Sequence, residues 1–486
     1  MADRILMGGA PEGFDAKLLA REAARGQPVI HIARDDRRME AMRAALSVLS
    51  PASVVLEFPA WDCLPYDRVS PNPDIGARRM STLAALASGV PGNFVLLTTL
   101  NAATQRIPAR AVLETASFAA KVGDRVDEAR LKRFLANMGF SPVSTVAEPG
   151  DFALRGGIVD IFSPGRGGPV RLDFFGDQLD GIRRFDPVTQ RSTQKLSAVE
   201  FAPMSEVLLD EAAIARFRQN YRVEFGAGGS DDPLYEAVSA GRKHQGMEHW
   251  LPFFHERLET LFDYIPTASV ILDDQVTAAR LSRWEGIADQ YDSRHEAMTA
   301  KGRLDTVYKP SAPDLLYLSD TAWETALAPH RVLQLSPLPQ SPGPNVLDAQ
   351  GRIGRNFAPE RQQENVSLFG AFADHLRICL KDSQVVIASY SDGARERLKG
   401  LLEDEKIKSL IEIKDFRDVP EGRGGLFLVI WPLEAGFRAP DLTVISEQDV
   451  LGERMVGKPR KKRKADNFLR EVDTLTPGDL VVHVEH

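Results

Sequence analysis

Short, unbroken apolar runs recur along this chain: PVIHIA (Pro28–Ala33), NFVLLTT (Asn93–Thr99), ASVILDD (Ala268–Asp274), SQVVIASYS (Ser383–Ser391), GLFLVIWP (Gly425–Pro432) and DLTVISE (Asp441–Glu447). A strand covered on both faces reads this way, because neither side of the pleat meets water. Stretches of helical spacing stand between them, such as ARRMSTLAALAS (Ala77–Ser88) and DGARERLKGLLEDE (Asp392–Glu405). This alternation predicts α/β units, one at the start of the chain and a second after residue 344.

A different pattern lies between the two. From Glu148 to Arg191 the sequence reads as a small β-meander: GGIVDIF is a strand, SPGRGGP a turn, VRLDFF a second strand, and GD closes a hairpin into QLDGIRRFD. Val170, Leu172 and Phe174 alternate with Arg171 and Asp173, so one face is buried and one is wet. Phe175 falls on the wet face with Arg171. An aromatic and an arginine on an exposed sheet face are the residue types of interface hot spots. The plainer alternative is that Phe175 packs under a neighbouring domain while Arg171 pairs with Asp173.

At 486 residues the chain has room for about three or four domains. The organisation expected is an α/β unit at 1–118, an inserted α+β unit at 119–207 with a helix at Asp127–Met138, and a mostly helical stretch at 208–335. A proline-dense linker follows at 336–344 (SPLPQSPGP, Ser336–Pro344), then the second α/β unit at 345–451 and a basic linker at 452–473. A β-run at 474–486 stops without a turn, as in a truncated domain. A net charge of −8 argues against a wholly nucleic-acid-gripping surface. The two cysteines fit no metal or redox spacing, and there is neither a signal peptide nor a membrane-length run, which predicts a cytoplasmic protein.

The motifs of nucleotide chemistry are present in outline and broken in detail. Ile5–Ala23 has the layout of a phosphate-binding loop, with Gly8 and Gly13 at the right spacing. Phe14 and Asp15 stand where lysine and Ser/Thr belong, so neither the cation nor the magnesium-binding hydroxyl is supplied, and Lys17 comes too late on the helix. Asp273 and Asp274 close a strand as a metal-binding carboxylate would, but two aspartates so placed are more often a turn or helix cap. Gln350–Arg355 (QGRIGR) has the wrong spacing for a helicase arginine motif. His244, His249 and His255 match no metal-ligand pattern, and no catalytic or metal-binding set can be nominated. Two alternatives to a partner-binding role stay open. One is a cryptic ATPase using Gly8, Gly13, Phe14, Asp15, Asp273 and Asp274; the other is non-specific DNA binding through Lys458, Arg460, Lys461, Lys462, Arg463 and Lys464.

Taken together, FPAWDCLPYDRVSPNPDIGARRMSTLAAL (Phe58–Leu86), the LRGGIVDIF and RLDFF strands, ISEQDVLGER (Ile445–Arg454) and the closing GDLVVHVEH (Gly478–His486) resemble the N-terminal part of the bacterial transcription-repair coupling factors. The resemblance covers essentially the whole chain. It implies a UvrB-like module: a split, degenerate RecA-like α/β domain formed by 1–118 and 208–335, with the inserted unit as the docking site for UvrA. The implied contacts are Arg155, Arg171 and Phe175. Only about ten residues separate WDCLPYD from ARRMSTLAAL, too few for the long DNA-probing hairpin of UvrB. The resemblance also implies RNA polymerase and double-stranded DNA as partners, and an ATP- and Mg²⁺-dependent motor, all through family regions outside this chain. No cofactor is expected for the chain itself.

Overall fold

The structure, a computed structural model, describes residues 4–90, 92–116, 118–163, 168–226, 232–299, 308–363, 365–407, 409–420 and 422–452. The basic run Lys458–Lys464 and the closing β-run lie outside the described residues. Within them the chain is a mixed α/β protein of several sheets.

The first sheet runs, in spatial order, Val346–Asp348, Arg4–Gly8, Val332–Leu335, Ser269–Leu272, Val29–Ala33, Phe94–Thr99 and Val54–Phe58. Every pairing is parallel. Val29–Ala33 and Phe94–Thr99 are buried throughout, as their unbroken apolar runs require. Helices Phe14–Ala23 and Asp36–Leu49 cover one face through Leu19, Met42 and Leu46. Helix Pro73–Ser88 covers the other through Met80, Leu83 and Leu86. Ser269–Leu272 lies between Val29–Ala33 and Val332–Leu335, so chain from both sides of the inserted unit builds one sheet. The strand at Val332–Leu335 escapes a helical reading of 208–335 because VLQL is short and interrupted by Gln334.

The inserted unit carries a second sheet, ordered Ser192–Leu196, Gln178–Phe185, Val170–Phe175, Ile158–Ile161, Asp151–Arg155 and Ser141–Pro142. Its pairings are antiparallel except at Ser141–Pro142. Val159, Leu172 and Ile182 on its inner face pack against Leu131 and Leu135 of helix Glu128–Asn137, whose N-terminus Asp127 caps.

The proline-dense stretch departs from its reading as a linker. Ser336 donates from its N–H to the Met7 carbonyl (2.9 Å), and the carbonyls of Ser336 and Leu338 accept from Ala10 (2.9 Å) and Gly9 (3.0 Å). Val346–Asp348 then adds to the edge of the first sheet, so a boundary at 344/345 falls inside that sheet. Proline removes N–H donors but leaves carbonyls, and carbonyls are what this segment chiefly supplies.

The third sheet is ordered Arg352–Ile353, Phe437–Arg438, Leu442–Ser446, Gln384–Ser389, Leu426–Ile430 and Leu410–Glu412. One face, with Val386, Ala388, Phe427, Val429 and Val444, joins Trp431 and Phe437 in the same apolar cluster as Phe14, Leu18, Leu19, Met39, Met42 and Leu46. Helices Phe14–Ala23 and Asp36–Leu49 therefore lie between two sheets and share one core with both. No helix among the described residues is long and apolar enough to cross a membrane.

Candidate partner-binding face and the glycine loop

In the inserted unit, Asp160, Arg171 and Arg183 face one another across three strands, and the next row holds Arg155, Ile158, Asp173 and Gly181. Directly paired residues point to the same side of a sheet, and so do residues two apart along a strand. Arg155, Arg171 and Phe175 consequently lie on one outer face, in successive rows. Phe175 is 82% exposed, at the hairpin end opposite Gln178. Gly176, at φ 65°, turns the chain immediately after it.

The two arginines are engaged rather than free. Arg171 grips the buried Asp160 with both arms, Nε to Oδ1 at 2.7 Å and Nη2 to Oδ2 at 2.9 Å. Its guanidinium lies 4.9 Å from the centre of the Phe185 ring, and Nη1 donates to the Gln190 carbonyl at 3.3 Å. Asp173, the partner that sequence proximity suggested, pairs instead with Arg183 (2.6 Å). A strand sends neighbours two apart to separate rows, and the carboxylate directly across the ladder is closer. Arg155 donates to the Ser144 carbonyl and to Thr145 Oγ1 (3.3 Å).

The unit is mounted on the first by a group the sequence reading did not single out. Arg79, fully buried, donates to Glu206 (Nε to Oε1 2.5 Å) and to the Pro59 carbonyl (2.8 Å), and its guanidinium lies 4.1 Å over the Phe58 ring. Of the adjacent Arg78 and Arg79, only the fold distinguishes the buried one.

The glycine loop has the expected strand–turn–helix layout, with Gly9 at φ 65°, Gly13 at φ 91° and a helix from Phe14. A helix N-terminus ordinarily offers its amides to an anion. Here Asp15 Oδ1 accepts from the amides of Gly13 (3.0 Å) and Ala16 (2.8 Å). The Gly9 and Ala10 amides are taken by Leu338 and Ser336, as described. Phe14 is buried, 5.6 Å from the Phe437 ring of the second α/β unit, and Lys17 reaches out to Asp441 (3.2 Å).

Arg38 ties the two halves together. Its guanidinium bonds Asp15 and lies 3.2 Å from Asp273, with Glu12 at 3.6 Å. Arg34 adds a contact to Glu12 at 2.9 Å and one to Asp273 at 3.8 Å. Burial pushes Asp15 up to about 7 against the opposing pull of Arg38, and burial likewise raises Asp273. Asp274 is half-buried in the turn before helix Val276–Thr299. The loop, Asp15 and Asp273 thus meet around an arginine that no motif marked, and Asp274 stands outside the cluster. Arg37, one residue earlier, points outward to Glu434. Among the described residues, no group of three or more His, Cys, Asp or Glu could hold a metal ion.

Comparison with known proteins bears on the inserted unit first. A family model described as the UvrB interaction domain matches residues 118–206, the span that carries the outer face. The inserted unit of the chain is thus similar to a UvrB interaction domain. Over its whole length the chain is homologous to the transcription-repair-coupling factors, as its motifs indicated. It is 30% identical over 502 residues to the transcription-repair-coupling factor of Escherichia coli, covering 100% of this chain and 41% of that protein. Identity to the Haemophilus influenzae protein is 28% over 495 residues, with 100% and 41% covered, and to that of Myxococcus xanthus 29% over 516 residues, with 98% and 41% covered. The chain spans about two-fifths of the length of these relatives.

Proposed function

We propose that this chain recruits UvrA in transcription-coupled nucleotide-excision repair, docking it on the outer face of the inserted unit. The observation that carries the reading is Phe175, an aromatic 82% exposed on the sheet face of a domain matched as the UvrB interaction domain. An exposed aromatic beside ordered arginines is the composition of an interface anchor, since rigid groups lose little entropy on binding. RNA polymerase and double-stranded DNA are proposed partners of the longer relatives' remaining regions, and the cytoplasm is the proposed compartment.

Phe175→Ala is expected to weaken UvrA binding by at least about 2 kcal/mol, the scale of a hot-spot truncation, with no change in thermal stability. Calorimetric titration of UvrA into the wild-type and variant chains measures it. Equal affinity of the two chains would overturn the assignment.

The same reading treats the first unit as a UvrB-like, RecA-like domain split by the insertion, which one sheet drawing strands from both sides supports. It further proposes that the glycine loop no longer holds nucleotide. The support is that the amides of Gly9, Ala10, Gly13 and Ala16 are satisfied within the chain, while Phe14 occupies the lysine position. Titration of labelled ATP with Mg²⁺ should show no micromolar binding; saturable binding in that range rejects this part of the proposal.

A further inference from the structure

The loop Asp186–Arg191 crosses the end of the outer face remote from Phe175, and its construction bears on what Arg171 does. Asp186 organises it, accepting from the amides of Val188 (2.7 Å) and Thr189 (3.0 Å), while its own N–H donates to the Arg191 carbonyl (2.9 Å). Gln190, at φ 59°, sends its side-chain amide to the carbonyls of Val146 (2.9 Å) and Pro187 (2.7 Å). Its main-chain carbonyl accepts from Arg171. At the tip Val188 is 70% exposed, although the loop beneath it is held by bonds on every side. An apolar side chain carried on a closed, anchored loop suits binding, because little order remains to be lost on contact.

Resting on the UvrA-docking reading, we propose that Arg171 acts as a positioning residue, held by Asp160, and that the loop it anchors supplies a second apolar contact for UvrA through Val188. The side chain of Arg171 is only 18% exposed, with both arms on a carboxylate that is itself 3% exposed. Nε and Nη2 are committed to that pair, so a partner that drew them away would leave a buried carboxylate without its cation.

The two roles respond oppositely to Asp160→Asn. If Arg171 positions the loop, losing the carboxylate loosens residues 186–191 and weakens UvrA binding about tenfold, close to the effect of Arg171→Ala. The double variant should then be no weaker than Arg171→Ala alone, and amide exchange across 186–191 should rise in both single variants. If Arg171 touches UvrA directly, Asp160→Asn leaves affinity intact or raises it while Arg171→Ala still loses binding, and the proposal fails. Because Asp160 is buried, Gln190→Gly serves as a second probe: glycine accepts the positive φ and removes only the side-chain anchor. It should weaken binding with the melting temperature of the inserted unit unchanged, and wild-type affinity would count against the proposal. Val188→Ser should cost about five- to tenfold in affinity at unchanged stability, the scale of one lost apolar contact. Full affinity in Val188→Ser rejects the second contact. Wild-type chain that fails to bind UvrA, or binds it regardless of Phe175, would instead remove the docking reading itself.

Discussion

Replacing Arg38 with methionine lowers the stability of the chain by about 3–5 kcal/mol at pH 8, the cost of removing one partner from a buried ion pair. Asp15 and Asp273 then remain in the interior without the guanidinium that both contact. The loss is expected to shrink as pH falls. Asp15 already has its folded value raised to about 7, against an ordinary 3.8. A carboxyl raised on folding contributes stability that is fully present below its unfolded value and lost as pH rises through its folded one. Without Arg38 both carboxyls rise further, so protonation relieves the variant more than the wild type between pH 8 and pH 5. Denaturant unfolding of both chains at those two pH values measures the difference. Arg37→Met is the control, since its exposed pair with Glu434 belongs to the class worth about 0–1 kcal/mol. A gap that stays constant with pH would show that the carboxyls are not what Arg38 neutralises.

Phe437→Ala should destabilise both α/β units together, by about 3–5 kcal/mol, the range for truncating a buried phenylalanine. Phe437 is wholly buried, 5.6 Å from Phe14 in one unit and 6.3 Å from Trp431 in the other. Since one apolar cluster runs from the third sheet through helices Phe14–Ala23 and Asp36–Leu49 to the first sheet, the two units are expected to unfold in a single transition. Hydrogen exchange read at Leu18–Leu19 and at Val386–Ala388 should show matching free energies of opening, lowered equally by the variant. Separate transitions, with only the second unit affected, would restore the picture of two units joined by a linker.

Residue pattern alone carried some of the fold a long way. PVIHIA and NFVLLTT are central strands because an apolar run without interruption has only a doubly covered place to go. The strand Val170–Phe175 shows its two faces by alternation, and Phe175 shows itself by breaking it. Val54–Phe58, an edge strand with a charged Glu57, carries no comparable mark. Ser336–Pro344 misleads because proline density reports missing donors, whereas this stretch is bound largely through its carbonyls.

The candidate sites divide along the same line. Gly8, Gly13, Phe14 and Asp15 show the spacing of a phosphate-binding loop without its lysine and hydroxyl, legible because that motif is local and each position has a fixed chemical task. Asp15 turns inward to amides one and two residues away, but that Arg38 meets Asp273 and that Phe437 packs against Phe14 depend on residues hundreds of positions apart. Sequence by itself determined the α/β class, the meander and its exposed aromatic, because periodicity and turn chemistry act over a few residues. Only the tertiary structure decided which arginine of a neighbouring pair is buried, which carboxylate Arg171 grips, and that two apparent domains share one core. Long-range pairing follows from which surfaces meet when the chain closes, and no local pattern encodes that.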